Sequence, residues 1–438
     1  MAVVCGGLEQ MSEPSRTPLT KNQWRGFFAS WGGWALDGMD SYIFALVLVP
    51  ALKELLPRSG LRSDLGSVGY YGGLLFALFL VGWGFAFVWG PLADKFGRVR
   101  TLMLTILWYS LFTFLCCLST RVWQLAAFRF LAGIGIGGEW AMGGTFVAEE
   151  WPEDRRKMAA GWMHTGYYAG FFLAGLANYV VGARYGWRAM FAIGGLPAVL
   201  IGFIRYGVKE SKRWESKAED LRRWSILRPL EVLFSAEFRK RTIVNSSYVL
   251  VSIIGLWAGS VYVPAAVTEI VNRQKIPGLN VTHLISLATM LLSVATIIGC
   301  VVLPLLAERL GRRWTLGMYY ACMLASIAIG FGYVFYFPEN TLKWFMVCLF
   351  FLGLGGANFA MYTLWLPEQY PTECRGSAFA FATSAGRFVG AGFTFLVGAG
   401  VAHYHTIGTP VAYTSIVFAV GILLLPLGYE TKGKTLPA

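Results

Sequence analysis

Charge is the scarcest commodity in this 438-residue chain: Asp, Glu, Lys and Arg together make up 14% of it, against roughly a quarter in an ordinary soluble domain. So few charges cannot cover a water-facing surface, which excludes a set of soluble domains. Acids are scarcer than bases, 24 against 37, and the resulting formal charge of +13 could suit nucleic acid. Basic residues gathered between apolar runs instead mark one face of a membrane protein, and no nucleic-acid partner is expected. Histidine is nearly absent, at four residues, and His403 with His405 has no third ligand in reach. The seven cysteines, Cys5, Cys116, Cys117, Cys300, Cys322, Cys348 and Cys374, follow no motif spacing. Neither a disulfide framework nor a metal site is expected from them. No HExxH, GxSxG or phosphate-cradling glycine loop stands in a suitable context, so neither an enzyme nor a cofactor is expected. The first 20 residues are polar and lack the apolar core of a signal peptide, which predicts a cytoplasmic amino terminus.

What is present is apolar. Hydrophobic residues form 56% of the chain, in runs near the roughly 20 residues that cross a bilayer's hydrocarbon core as a helix. Hydropathy predicts helices at 24–50, 67–90, 101–119, 122–148, 158–183 and 187–208, then 242–270, 283–306, 315–336, 342–367, 376–402 and 409–428. The expected fold is an all-α membrane protein of twelve transmembrane helices in two pseudo-symmetric six-helix bundles. Its divisions are a tail (1–23), a first bundle (24–208), a linker (209–241), a second bundle (242–428) and a closing tail (429–438). Lys and Arg concentrate on the side of the amino terminus, which predicts both termini in the cytoplasm of a multi-pass protein. A bacterial inner membrane is the expected location. The basic linker reads as a solvated segment beside the headgroups of the lipid bilayer.

An internal repeat supports the division. GPLADKFGRVR at 90–100 and PLLAERLGRRW at 304–314 match Asp94, Gly97 and Arg98 to Glu308, Gly311 and Arg312 at an offset of 214. EEWPEDRR at 149–156 and EQYPTECR at 368–375 match Glu149, Pro152 and Arg156 to Glu368, Pro371 and Arg375 at an offset of 219. Each pair follows the equivalent helix, as in two parallel repeats facing each other across a central site. Asp94 with Arg98, and Glu308 with Arg312, are expected to join charge networks that close one conformation, with Glu149, Arg156, Glu368 and Arg375 as further gating candidates. Such contacts break during transport, so their value lies in the difference between states.

These segments resemble the major facilitator superfamily over essentially the full length. GPLADKFGRVR is similar to its signature between helices 2 and 3, RFLAGIGIGGEW at 129–140 to that of helix 4, and VKESKRWE at 208–215 with YETKGKTL at 429–436 to sugar-porter segments. LDGMD at 36–40 and GWRAMFAIGGLP at 186–197 resemble the branch of organic-anion and proton symporters that carry sialate, lactate and aromatic acids. Helix 5 lacks the Gly-Pro element of drug antiporters, and helix 7 shows no lactate-carrier signature. The resemblance implies alternating access between two bundles, with helices 1, 4 and 11 lining a central cavity.

An ionisable side chain deep in a bilayer costs several kcal/mol unless paired or hydrated. Counting ~1.5 Å per residue places Asp37 about 20 Å deep, Glu139 about 15 Å and Arg387 about 16 Å. Asp37 and Asp40 stand three apart on one helix face, with Gly38 between them permitting close backbone approach. Asp37, Asp40 and Glu139 are the expected proton-coupling groups, with a structural pair between an aspartate and Arg129 as the alternative. Arg387, flanked by small residues, suits a substrate carboxylate, or else an ion pair with Glu139 or Asp37. Asn358 stands at the repeat position of Glu139. Asn358, Tyr42, Tyr248, Tyr362 and Trp365 are the further substrate-binding candidates, and Trp34, Tyr168 and Trp257 lie at similar depth. His164, about 9 Å from the inner end of helix 5, reads as a helix-end histidine near Glu149 or Glu150.

The expected activity is proton-coupled symport of an organic anion: a monocarboxylate, an acidic sugar such as sialate, or an aromatic acid. A neutral sugar–proton symporter and a transporter-like nutrient sensor are the rivals. The expected partners are a small organic substrate and protons, and the expected state is monomeric.

Overall fold

The structure, a computed structural model, describes residues 17–199, 209–210, 212–216, 228–274 and 280–437. Cys5, the inner end of the sixth predicted span (200–208) and residues 217–227 of the linker lie outside the described residues. Secondary structure among the described residues is helical throughout, and the apolar runs of the sequence become twelve spans.

The first span is α1 (Lys21–Arg58), which starts where the Thr20 hydroxyl accepts from the Gln23 N–H while the Gln23 side chain accepts from the Thr20 N–H, a reciprocal capping box. The second is α2 (Leu65–Gly84), begun by an Asp64 cap on the Ser67 N–H and prolonged into α3 (Trp89–Phe96). α4 (Arg98–Cys116), α5 (Val122–Glu150) and α6 (Glu153–Ala177) follow. α7 (Ala183–Ile193) opens the sixth span, interrupted where Gly186 takes φ 76°. The linker contains α8 (Lys212–Glu215) and α9 (Arg228–Leu233). The seventh span joins α10 (Arg239–Ser260) to α11 (Val263–Gln274); α12 (Val281–Leu310) and α13 (Arg312–Gly332) are the eighth and ninth. The tenth breaks into α14 (Thr341–Gly356) and α15 (Phe359–Trp365), α16 (Arg375–Tyr404) is the eleventh, and α17 (Gly408–Tyr413) with α18 (Ile416–Leu424) is the twelfth.

Eight described helical segments are long and apolar enough to cross a membrane. α5 falls short of that standard because its interior holds Arg129 and Glu139, both buried inside the protein, and α6 carries the likewise buried His164. The outward faces carry exposed Leu104, Leu107 and Leu111 on α4 and Ile298, Val301 and Leu305 on α12. Hydrocarbon tolerates such a belt where water would not.

Two seams join the halves, α2 along α16 and α6 along α12. Glycine lets them close: a Cβ on Gly73 would sit 3.0 Å from the Gly398 Cα, and one on Gly161 would meet Pro304 at 2.4 Å. The repeat is visible in backbone detail. Gly97 (φ 112°) and Gly311 (φ 91°) make the same turn into α4 and α13, a region that L side chains rarely adopt. Each new helix then receives a carboxylate at its N-terminus. Glu210 accepts from the N–H groups of Arg98, Val99 and Arg100 at 2.8, 3.0 and 3.3 Å. Glu430 accepts from those of Arg312 and Arg313 at 3.0 and 3.2 Å. These two glutamates belong to VKESKRWE and YETKGKTL, so those segments act as helix caps.

Candidate functional site

The charged ends of the spans meet in two related clusters. In the first, Arg98 binds Asp94 at 2.5 Å and Glu149 at 3.3 Å, and Arg375 of the other half reaches Glu149 at 3.5 Å. Asp94 also crosses the seam, accepting from the Ser377 hydroxyl at 2.5 Å and from its N–H at 3.1 Å. In the second, Arg312 binds Glu308 at 2.8 Å and Glu368 at 2.9 Å, and Arg156 of the first half stands 3.6 Å from Glu368. Lys157 bridges to Glu308 at 2.9 Å, in a more exposed position. All eight residues singled out from the repeat thus lie in these clusters, and every cluster has a contact between halves.

The closing tail lies across them. Thr431 donates to Glu368, and the Pro437 carbonyl accepts from Arg375. Burial pushes the Glu210 carboxyl above its usual range, although three backbone N–H groups oppose the shift. Burial acts the same way on Glu430 but is outweighed there by N–H donors from Arg312, Arg313, Lys432 and Thr431, which hold its carboxyl low.

Above the clusters the halves enclose a cavity of about 10 Å³, lined by Trp34, Trp83, Trp140, His164, Tyr167, Tyr168, Leu256, Trp257, Phe359 and Arg387. That is room for about one water molecule. Toward the opposite face, a vestibule of about 650 Å³ opens between α1, α2, α11 and α16, with Lys53, Glu269 and Arg273 on its walls. The conformation is therefore closed at the charged face, contracted at the centre and hollow at the far face.

Flat rings make the central wall. Trp34 stacks on Tyr167 at 4.5 Å and on Trp140 at 5.4 Å. Arg387 lies with its guanidinium carbon 3.9 Å from the centre of the Trp83 ring. It is 1% exposed, and its Nε and Nη1 have no hydrogen-bond partner among the described residues. Neither ion pair suggested for it, with Glu139 or Asp37, is formed.

Behind this wall, within the first half, sit the carboxylates. Asp40 is taken by Arg129, whose Nη1 donates to it at 3.1 Å and to Thr113 at 3.2 Å, with the rings of Phe44 and Phe79 against the guanidinium. Asp37 and Glu139 are fully buried, and none of their four oxygens has a well-formed hydrogen bond among the described residues, the Tyr109 hydroxyl lying beside Glu139. Asp37 lies in the electrostatic reach of Glu139, Asp40, Arg387 and Arg129. Glycine sets this arrangement: a Cβ on Gly33 would fall 1.7 Å from Glu139 Oε1, and one on Gly38 would fall 2.1 Å from the Tyr167 carbonyl. Gly38 thus serves the approach of α1 to α6.

In this conformation several of the expected substrate-binding side chains are engaged with partners away from the central cavity. Tyr248 donates to the Leu424 carbonyl and stacks on Trp365, which donates to the Tyr429 carbonyl; both pack under the closing tail. Tyr362 is engaged with Ser252, Tyr320 and the Tyr248 carbonyl. Tyr42 donates to the Ser260 carbonyl across the halves. Asn358 donates to the Gly355 carbonyl at the break of the tenth span. None of the five lines the central cavity.

The reading of His164 is corrected. It is no helix-end residue but is buried among Trp34, Trp140 and Phe359. Of the aromatics placed at cavity depth, Trp34, Tyr168 and Trp257 do line it; Trp83, Trp140, Tyr167 and Phe359 were missed. Trp140 directly follows Glu139, and that adjacency was the available signal.

Residues 31–270 match the Major Facilitator Superfamily. The chain is 32% identical over 421 residues to a probable 4-methylmuconolactone transporter of Cupriavidus pinatubonensis, covering 93% of this chain and 90% of that one. It is 25% identical over 430 residues to the sialic acid transporter NanX of Escherichia coli, covering 97% and 96%. A solved structure of the proton:xylose symporter XylE, bound to 6-bromo-6-deoxy-D-glucose, superposes with a TM-score of 0.73 at 19% identity, covering 95% of this chain and 98% of that one, which speaks to the fold alone. A repeat of six-helix halves, charge clusters at the repeated turns and this family match identify the chain as a multi-pass membrane transporter, not an enzyme, that belongs to the Major Facilitator Superfamily.

Proposed function

We propose that this protein carries an organic anion together with protons across a bacterial inner membrane by alternating access, as a monomer with both termini in the cytoplasm. Arg387 receives the substrate carboxylate. The observation that carries this reading is a buried guanidinium at the wall of the central cavity with two polar nitrogens unpartnered. A buried cation without a carboxylate is costly, and a bidentate carboxylate is the ligand its planar fork fits best. The similarity to a transporter of sialic acid agrees with an anionic substrate.

Asp37 and Glu139 carry the proton. They are buried, within electrostatic reach of one another, and outside the direct ion pair that Arg129 forms with Asp40. Two such carboxyls in one dry site cannot both be ionised without a large cost, so a proton held there changes which state is favoured. Arg129 stays with Asp40 as a structural pair. Asp94, Arg98, Glu149, Arg156, Glu308, Arg312, Glu368 and Arg375 form the cytoplasmic gate, and the vestibule is the entrance from outside.

The test is uptake into proteoliposomes with an acidic exterior, offering sialate, short monocarboxylates, aromatic acids and neutral hexoses. Concentrative uptake of an acid is expected, with Arg387→Gln raising its KM about tenfold or more. Concentrative uptake of a hexose that Arg387→Gln leaves unchanged would overturn the anion assignment.

A further inference from the structure

Among the polar groups of the cavity-lining residues that have no part in that scheme, His164 is the imidazole. His164 is 1% exposed and its Nε2 has no hydrogen-bond partner among the described residues, yet the ring borders the same cavity as Arg387. Its other nitrogen is committed. Nδ1 lies 3.3 Å from the Thr363 hydroxyl on α15, and that hydroxyl also accepts from Trp140 Nε1 at 3.0 Å.

Indole N–H groups only donate, so the Thr363 oxygen accepts from Trp140 and keeps its own hydrogen to offer to Nδ1, an arrangement that one tautomer of a neutral imidazole completes. A neutral imidazole that accepts at Nδ1 carries its proton at Nε2. Ring contacts then hold the imidazole in place, with Trp140 at 5.5 Å, Tyr168 at 5.7 Å and Phe359 within 3° of parallel. In that tautomer Nε2–H is a donor on the wall of a cavity that is also lined by Arg387 and by Trp34 and Tyr167, whose indole N–H and hydroxyl likewise have no hydrogen-bond partner among the described residues.

Resting on the reading of Arg387 as the carboxylate site, we propose that His164 Nε2–H is a second substrate anchor, so that the protein selects a planar ring acid bearing a hydrogen-bond-accepting atom remote from its carboxylate. The stacked faces of Trp34, Tyr167 and Trp140 supply flat apolar contact for such a ring. The remote acceptor, a pyridine nitrogen or a hydroxyl or carbonyl oxygen, satisfies the donor that the closed centre leaves without a partner. An acid lacking that atom buries the N–H unsatisfied and binds more weakly.

The experiment is a set of binding titrations on the purified full-length protein, read by ligand-induced thermal shift and intrinsic tryptophan quenching. The probes are benzoate, nicotinate and 4-hydroxybenzoate, which carry the same charge and nearly the same size. The wild type should bind the two acceptor-bearing acids about tenfold more tightly than benzoate, a ratio set by one hydrogen bond. His164→Phe should erase that preference while benzoate affinity stays within about twofold. His164→Gln, which keeps an N–H donor, should retain part of the preference and serves if the Phe variant does not fold. Arg387→Gln should weaken all three acids alike. A wild type without preference, or either His164 variant with the full wild-type preference in the case of Phe and none in the case of Gln, overturns the second anchor and leaves the carboxylate site standing. Equal binding of all three acids by Arg387→Gln and wild type overturns the carboxylate site itself.

Discussion

Two contacts between the halves at the charged face differ sharply in burial, and the difference predicts unequal effects on the gate. Asp94 accepts from the Ser377 hydroxyl at 2.5 Å, with both residues buried. Lys157 meets Glu308 at 2.9 Å with side chains 23% and 42% exposed. A buried hydrogen bond to a charged group is worth about 1.5–3 kcal/mol, whereas an exposed ion pair contributes about 0–1 kcal/mol. Both exist only while the charged face is closed, so their loss shifts the balance between states by the same amounts. Ser377→Ala should therefore raise the ratio of open to closed molecules at that face by roughly 10- to 150-fold, and Lys157→Ala by about fivefold at most. Spin labels on cysteines introduced at Arg100 and Arg309, in a background without native cysteines, report the opening as a distance distribution. An unchanged distribution for Ser377→Ala, or a larger shift for Lys157→Ala, would refute the assignment of the buried contact as the stronger closure.

Three further outcomes follow from the glycines and caps. Gly33→Ala places a methyl 1.7 Å from Glu139 Oε1, so the carboxyl must move, and proton-driven uptake should fall at least tenfold while the protein still folds by circular dichroism. Gly97→Ala and Gly311→Ala each force an L residue to positive φ, at about 1–2 kcal/mol, and each should lower the midpoint of thermal unfolding in detergent. Glu430→Gln should cost about 0.5–2 kcal/mol near neutral pH, as the loss of a helix cap. The Glu430 carboxyl is held below its usual range, so its contribution is present above the unfolded value and vanishes as pH falls through the folded one. Melting curves of wild type and variant should therefore converge in acid.

The architecture was legible because a bilayer constrains a helix's length and composition, and because the repeat writes the same turn twice, at Gly97 and Gly311. Buried charges were legible for a related reason: an Asp or Arg in an apolar run is rare enough to name one by one. Aromatic contacts were not. Among 17 Trp, 20 Tyr and 32 Phe, which rings reach the centre depends on helix rotation and tilt, and Tyr248, Tyr362 and Trp365 turn to partners that hydropathy cannot reveal. His164 was misplaced through a boundary. The helix was predicted to begin at 158, but Glu153 and Asp154 occupy the first turn of α6, where acids favour a helix N-terminus. Five more residues move His164 from about 9 Å to about 16 Å along the axis, level with Glu139.

The central claim is that Asp37 and Glu139 hold the transported proton, and it is tested by giving the double variant Asp37→Asn with Glu139→Gln an acidic exterior and a permeant acid substrate in proteoliposomes. Loss of concentrative uptake, with counterflow exchange of the same substrate preserved, is the result this account predicts. Accumulation against the substrate gradient by the double variant, at the wild-type level, would contradict it.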